Sequence, residues 1–357
     1  MPTQTNRNNT KKIKIGKIEI GGGNPIAVQS MTKTKTSDVE ATVKQIHELE
    51  AAGCQIVRCA VPDKESALAL KQIKQRINIP LVADIHFNHE YAIIAAEAGV
   101  DKLRINPGNI GDSGKIKAVV DAAKAHKIPI RVGVNSGSLE KEIRKRYQGH
   151  VTAEGLVKSA LKNVEMLESL AFHDIAISIK ATSVPLTIKA YELISKKTDY
   201  PLHVGVTEAG IPRVGIVRSA AGIGAILAMG IGDTIRVSLT GDPVEEVRVG
   251  YEILKSMELT YHGVSIISCP TCGRTGIDVV KIAQEIEERT RSIKQPLNVA
   301  IMGCEVNGPG EAADADVGLA GGNGVGLIFR EGQIVRKVPE AEMVEALMDE
   351  IESMTIQ

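Results

Sequence analysis

Between residues 26 and 239 one pattern recurs eight times: a short apolar run, a turn, then a helix with one apolar face. The runs fall at 26–29, 56–60, 81–85, 102–105, 130–134, 175–179, 202–206 and 234–239. Strands that are apolar throughout and separated by helices are parallel and buried on both faces. Eight such units favour an α/β fold closed into a (β/α)8 TIM barrel, which takes about 250 residues, over an open doubly wound sheet. Cap signals support the register, because Ser37 and Asp38 precede the helical spacing of Val39, Val43, Ile46 and Leu49, and Gly53 ends it. Only 3% of the residues are aromatic against 43% hydrophobic, so the cores must be aliphatic.

After His262 the pattern changes. Strand-like runs at 264–268 and 298–302 flank a helix near 277–289, a glycine-rich hairpin spans 317–329, and a last helix covers 340–354. The expectation is a barrel over residues 1–263 followed by a small α+β domain over 264–357. The glycine run at 321–326 lacks the Gly-Lys-Ser/Thr ending of a phosphate loop and reads as a hairpin turn. The first dozen residues are polar and read as a frayed tail, neither signal peptide nor anchor. The most apolar stretch, 220–232, is shorter than the roughly 20 residues a membrane span needs. Zero net charge, from 43 basic and 43 acidic residues, gives no overall attraction to nucleic acid or membrane. Five cysteines without a secretion signal fit a reducing cytoplasm.

Charged side chains interrupt the strands at Arg58, Arg104, Arg131, Lys180 and Arg236. One of them alone reads as a partly solvated salt bridge. Together, with only Asp84 and Glu208 as nearby carboxylates, they leave positive charge unbalanced in a place where unpaired charge is costly. Barrel active sites form at the C-terminal ends of the strands, and guanidinium forks match phosphate oxygens, so a phosphate or diphosphate ligand is expected. Asp84, His86, Asn106, Asn135, Ser183, Thr207, Glu208 and Ser238 lie at the same ends, suited to orient hydroxyls or carry protons. His86 is the one histidine selected; the others, His203 among them, read as surface or packing residues. Cys54 and Cys59 read as buried thiols.

The other cysteines form a set. Cys269-Pro270-Thr271-Cys272 is joined by Cys304 within Met302-Gly303-Cys304-Glu305-Val306-Asn307-Gly308-Pro309-Gly310-Glu311. Two close thiolates and a remote third make a soft-ligand site. A zinc ribbon needs a second pair of ligands, so the lone third thiol favours an iron–sulfur cubane with one iron left to a weaker ligand. Glu305 and Glu311 are the candidates, and the 307–310 turn can fold Glu311 back toward Cys304. The competing reading is a non-redox barrel enzyme on a phosphorylated or pterin-like substrate, with structural zinc.

With these residues stand Val28-Gln29-Ser30-Met31-Thr32, Val57-Arg58-Cys59-Ala60-Val61-Pro62, Ala83-Asp84-Ile85-His86-Phe87, Arg104-Ile105-Asn106-Pro107-Gly108-Asn109, Gly133-Val134-Asn135-Ser136-Gly137-Ser138 and Val206-Thr207-Glu208-Ala209-Gly210. On them the chain resembles, over nearly its whole length, the bacterial (E)-4-hydroxy-3-methylbut-2-enyl diphosphate synthase family, iron–sulfur enzymes of the methylerythritol phosphate route to isoprenoids. The resemblance implies that Cys269, Cys272, Cys304 and Glu311 hold a [4Fe-4S] cluster. It implies that Arg58, Arg104, Arg131, Lys180 and Ser238 hold the diphosphate of 2-C-methyl-D-erythritol 2,4-cyclodiphosphate, while Asn135 and Thr207 position its ring and hydroxyls. Glu208 would serve the leaving hydroxyl, with Asp84 and His86 nearby. A reductive ring opening with loss of water, flavodoxin or ferredoxin as electron donor, and a homodimer in which each cluster caps the partner's barrel follow from the same resemblance.

Overall fold

The computed structural model describes residues 7–304, 315–322 and 324–355, in two units, Met1–Leu259 and Thr260–Gln357. Near the start, isoleucines alternate with charged residues, the pattern of strands with one buried face. They fold as an antiparallel hairpin of β1 (Ile13–Ile15) and β2 (Ile18–Ile20). The frayed-tail expectation fails for residues 7–12. The Arg7 amide donates to Gly230 O at 3.0 Å, the Lys11 amide to Asp199 O at 2.6 Å, and Thr10 Oγ1 to Asp233 Oδ1 at 2.9 Å. Polar composition concealed these ties because they are made by backbone and hydroxyl groups rather than by apolar contact.

The barrel strands are β3 (Ala27–Met31), β4 (Ile56–Ala60), β5 (Leu81–Asp84), β6 (Lys102–Ile105), β7 (Ile130–Asn135), β8 (Ile175–Lys180), β9 (His203–Val204) and β10 (Thr234–Ile235). They are parallel, in the order β8-β7-β6-β5-β4-β3-β10-β9, and a parallel bridge between Ile177 and Leu202 joins the two ends. The expected TIM barrel is therefore the fold. The last two strands are shorter than expected. The Arg236 amide still donates to Val204 O, but the Leu239 amide is taken by the Glu246 side chain at 3.0 Å instead of a neighbouring strand.

Side chains alternate between the two faces of each strand. Val57 and Cys59, Leu81 and Ala83, Leu103 and Ile105, Ile130, Val132 and Val134, and Ile175, Ile177 and Ile179 point outward into the aliphatic layer under the helices. The alternate positions point inward. At the N-terminal end Ala27, Ile56, Val82 and Ala176 meet Ile13, Ile15 and Ile20, so the hairpin closes that end with an apolar plug. Above the plug most inward positions are polar.

The second unit is a sheet in the order β11 (Val264–Ser268), β12 (Leu297–Met302), β13 (Val317–Gly322), β14 (Val325–Arg330) and β15 (Gln333–Pro339), with its first three strands parallel and the rest antiparallel. The helices Val279–Thr290 and Met343–Thr355 bring Ile282, Ile286, Leu347 and Ile351 against Val299, Ile301, Leu319 and Ile328. This unit thus has its own core.

Candidate active site

Asp84 ends β5 facing inward and is buried. Its Oδ1 accepts from Arg104 Nη1 at 3.1 Å, and its Oδ2 lies 3.5 Å from Arg58 Nε and 3.7 Å from His86 Nε2. Burial opposes the charge, but the positive charges of Arg58 and Arg104, then His86 and Arg131, outweigh it and bring the carboxyl down to about 2. Arg104 Nη1 also reaches His86 Nδ1 at 3.3 Å, so four of the expected residues form one bonded group. Arg58 turns Nη2 and Nε toward Met31 Sδ at 2.9 and 3.2 Å, a weak acceptor that leaves the guanidinium under-satisfied.

Arg131 lies beside Arg104 in the ladder and donates from Nη1 to Ser178 Oγ at 2.9 Å. Its Nε and Nη2, like Arg104 Nε, Arg236 Nε, Lys102 Nζ and both amide atoms of Gln29, are buried without a hydrogen-bond partner among the described residues. Burial and the like charges of Arg58 and Arg104 press Arg131 toward neutrality, yet a guanidinium keeps its proton at any ordinary pH. Lys180 faces Asn135 across the ladder and lies 3.4 Å from His203 Nε2, while His203 Nδ1 lies 2.8 Å from Thr234 Oγ1. Burial and the surrounding Arg131, Lys180 and Lys102 hold His203 neutral, well below the usual imidazole range. Arg236 reaches Glu246 Oε2 at 3.5 Å, and Glu246 also takes Ser30 Oγ at 3.2 Å and pairs with Lys33 at 3.3 Å.

Two glycines make room for this. A Cβ on Gly133 would stand 2.6 Å from Arg104 Nε, and one on Gly205 would stand 2.8 Å from Lys180 Nζ. Both are inward positions within or beside barrel strands, where glycine marks close approach. The interior thus holds Arg58, Lys102, Arg104, Arg131, Lys180 and Arg236 against the carboxylates of Asp84 and Glu246. Unpaired buried donors are what a multiply charged anion would satisfy.

Thr207 and Ser238 continue the inward alternation of His203 and Arg236 and are half-buried. Glu208 is exposed in the loop after β9, with φ +54°, a left-handed backbone uncommon outside glycine. Its Oε2 accepts from Thr182 Oγ1 at 3.1 Å.

In the second unit the parallel register pairs Ser268 with Ile301, which sets Cys269 and Cys304 just past the same edge of β11 and β12. The Gly303 amide donates to Cys269 Sγ at 3.3 Å, and a Cβ on Gly303 would meet Val279 at 2.7 Å. The Cys272 amide donates to Thr275 Oγ1 at 2.9 Å. An amide hydrogen bond from Arg274, aided by its side chain, lowers the exposed Cys272 thiol toward thiolate. In contrast, burial pushes Cys54 up to about 12 and Cys59 up to about 11, so both are protonated packing groups as expected. The three remaining thiols are all free, and backbone amides turn toward the sulfurs of Cys269 and Cys272, a donor set that fits a thiolate-ligated cluster. No three His, Cys, Asp or Glu side chains among the described residues stand close enough for a single metal ion. Glu305 and Glu311 lie outside the described residues.

Comparison with known proteins decides the family. The GcpE TIM-barrel domain matches residues 10–251, and the GcpE protein C-terminal domain matches residues 265–353. The chain belongs to the GcpE family. It is 61% identical over 345 residues, 97% of each chain, to the 4-hydroxy-3-methylbut-2-en-1-yl diphosphate synthase (flavodoxin) of Caldanaerobacter subterraneus. With the like-named protein of Exiguobacterium sibiricum it shares 57% identity over 357 residues, 100% of this chain and 96% of the relative. Among solved structures, dihydropteroate synthase from Stenotrophomonas maltophilia matches with a TM-score of 0.51 at 16% identity, covering 70% of this chain and 97% of that one. That likeness carries the barrel alone.

Within this GcpE barrel several interior residues escaped the sequence reading. Lys102 and Gln29 lie on the inward faces of β6 and β3, and His203, read as packing or surface, is buried among the cations. Counting by two from Arg104 reaches Lys102, and counting by two from Thr207 reaches His203, so the signal was present in the strand period. Glu246 had none: it lies on the helix Pro243–Ser256, far in sequence from the Ser30 it binds.

Proposed function

We infer that the chain carries out the reaction its GcpE relatives are named for. It is an oxidoreductase of isoprenoid biosynthesis that opens the ring of 2-C-methyl-D-erythritol 2,4-cyclodiphosphate and releases water, giving (E)-4-hydroxy-3-methylbut-2-enyl diphosphate with flavodoxin as electron donor. The observation that carries the reading is the excess of buried, partly unsatisfied cations on the inward faces of the strands. A small diphosphate supplies the missing charge and acceptors.

In this reading Arg58, Arg104, Arg131, Lys180 and Ser238 bind the diphosphate, and Asn135 and Thr207 position ring and hydroxyls. Asp84 is ionised at neutral pH, so its part is to orient Arg58, Arg104 and His86 rather than to give a proton. Glu208, aligned by Thr182, donates the proton that lets the hydroxyl leave as water. Two electrons and the accompanying protons enter, the ring carbon–oxygen bond to phosphate and the carbon–hydroxyl bond break, and the diphosphate stays on the arginines.

Cys269, Cys272 and Cys304 with Glu311 would hold a [4Fe-4S] cluster, which when bound would supply electrons one at a time. The Gly303 amide bond to Cys269 Sγ and the Arg274 bonds that lower the Cys272 thiol support that ligand set. The barrel over 1–263 is then the substrate-binding domain and 264–357 the cluster domain, in a cytoplasmic homodimer. Among the described residues no helix is long and apolar enough to cross a membrane. The non-redox alternative is not favoured, because relatives matched over 97–100% of the chain are named for flavodoxin.

The test is anaerobic purification, iron and sulfide analysis, and turnover of the cyclic diphosphate with reduced flavodoxin. The expected protein is brown, with iron and sulfide near about four each per chain. Arg131→Met should keep the cluster and bind substrate about tenfold to a hundredfold more weakly, as loss of a charged hydrogen bond does. A colourless protein that consumes no cyclic diphosphate sinks the reading.

A further inference from the structure

Lys102 differs from the other basic residues in the barrel. It opens β6 on the inward face it shares with Arg104, is 0% exposed, and its Nζ has no hydrogen-bond partner among the described residues. Its ladder partner is Val82, a member of the apolar plug that also pairs with Arg58, and Arg104 follows two residues on, so Lys102 stands where the plug meets the guanidinium groups. The ionisable groups of the surrounding strands are Arg58, Asp84, Arg104, Arg131, Lys180, His203 and Arg236. Among these Asp84 is the anion, its oxygens engaged by Arg58 and Arg104, and the other buried carboxylate, Glu246 on the helix Pro243–Ser256, is engaged by Arg236, Lys33 and Ser30. The hairpin below contributes Ile13, Ile15 and Ile20 to the plug.

We propose that Lys102, buried with its Nζ unpartnered beside the arginines, is a positioning residue of the diphosphate site that takes up a proton from solvent when a diphosphate settles there. The proposal rests on the diphosphate reading. Burial and the positive charges of Arg131 and Arg58 favour the neutral amine in the free protein. A bound anion with two or more charges reverses that local field and favours the ammonium. One proton moves from solvent to Nζ and no other bond changes. The open product carries one more ionisable phosphate oxygen than the cyclic substrate, so a charged Lys102 also meets the charge that ring opening creates.

The sign follows from linkage. The occupied state holds more protons, so affinity rises as pH falls, by about tenfold per unit between the free and occupied values of Lys102. The experiment is calorimetric titration of the full chain with inorganic pyrophosphate, in buffers of low and high ionisation heat over a pH series. Wild type is compared with Lys102→Met, and with Lys102→Gln should the first variant not fold. Protonation of pyrophosphate itself is common to all and cancels in the difference. Wild type should take up about one proton more than either variant, while all bind. Equal uptake overturns the proposal and leaves the diphosphate reading standing. Loss of binding in both folded variants also overturns it, because Lys102 would then be an obligatory contact. Failure of wild type to bind pyrophosphate removes the diphosphate reading and this proposal together.

Discussion

Asp84 holds Arg58, Arg104 and His86 in one geometry because a buried carboxylate needs all the positive charge it can collect. Replacing it with Asn should destabilise the barrel by about 3–5 kcal/mol, the usual cost of breaking a buried pair. The pH dependence has a definite sign. The folded value of about 2 lies below the ordinary aspartate value, so the stabilisation is fully present above about pH 4 and is lost as pH falls toward 2. Its size is on the order of 2 kcal/mol. Unfolding of wild type and Asp84→Asn across this range, followed on barrel amides by hydrogen exchange, should show the gap between them narrowing with acid. A gap that stays constant would mean that the arginines do not hold Asp84 ionised. Arg58, Arg104 and Asp84 were legible in the sequence because a charge inside an apolar run is conspicuous by itself. Their partnership was not, since it depends on which neighbouring strand each one meets.

At the scale of the element, the period-two alternation separates an apolar outer layer from a polar interior. Lys102 and His203 open their strands, and the same period that places Arg104 and Thr207 inside places them there too. The interior glycines test this arrangement. Gly205→Ala would drive its methyl to 2.4 Å from the Arg236 carbonyl oxygen, a backbone atom that cannot turn aside. It should destabilise the barrel by about 1–3 kcal/mol, the usual cost of overpacking. Gly133→Ala meets the Arg104 side chain first, which can move at the expense of its bond to Asp84. It should fold nearly as well as wild type and bind pyrophosphate at least about tenfold more weakly, as a lost charged hydrogen bond implies. Thermal melts and calorimetry on the two variants distinguish the outcomes, and equal loss of stability in both would count against a displaceable Arg104.

For the whole molecule, the barrel and the second unit each bury their own aliphatic core. Because ligands stabilise only the unit that binds them, removing iron anaerobically with a chelator should lower the thermal transition of residues 260–357 and leave barrel amides protected in hydrogen exchange. Loss of protection in the barrel as well would show that the units do not unfold independently. The sequence alone determined the succession of strands and helices, the charges set within the apolar runs, and the set of thiols, because period, capping and residue type are local properties of the chain. Only the tertiary structure decided which charges are neutralised. Closing the ring brings Asp84 to Arg58 and Arg104, and docking the last barrel helix brings Glu246 to Ser30 and Arg236. The same closure leaves Lys102 without a carboxylate, because Coulomb pairing depends on distance through space and not on separation along the chain.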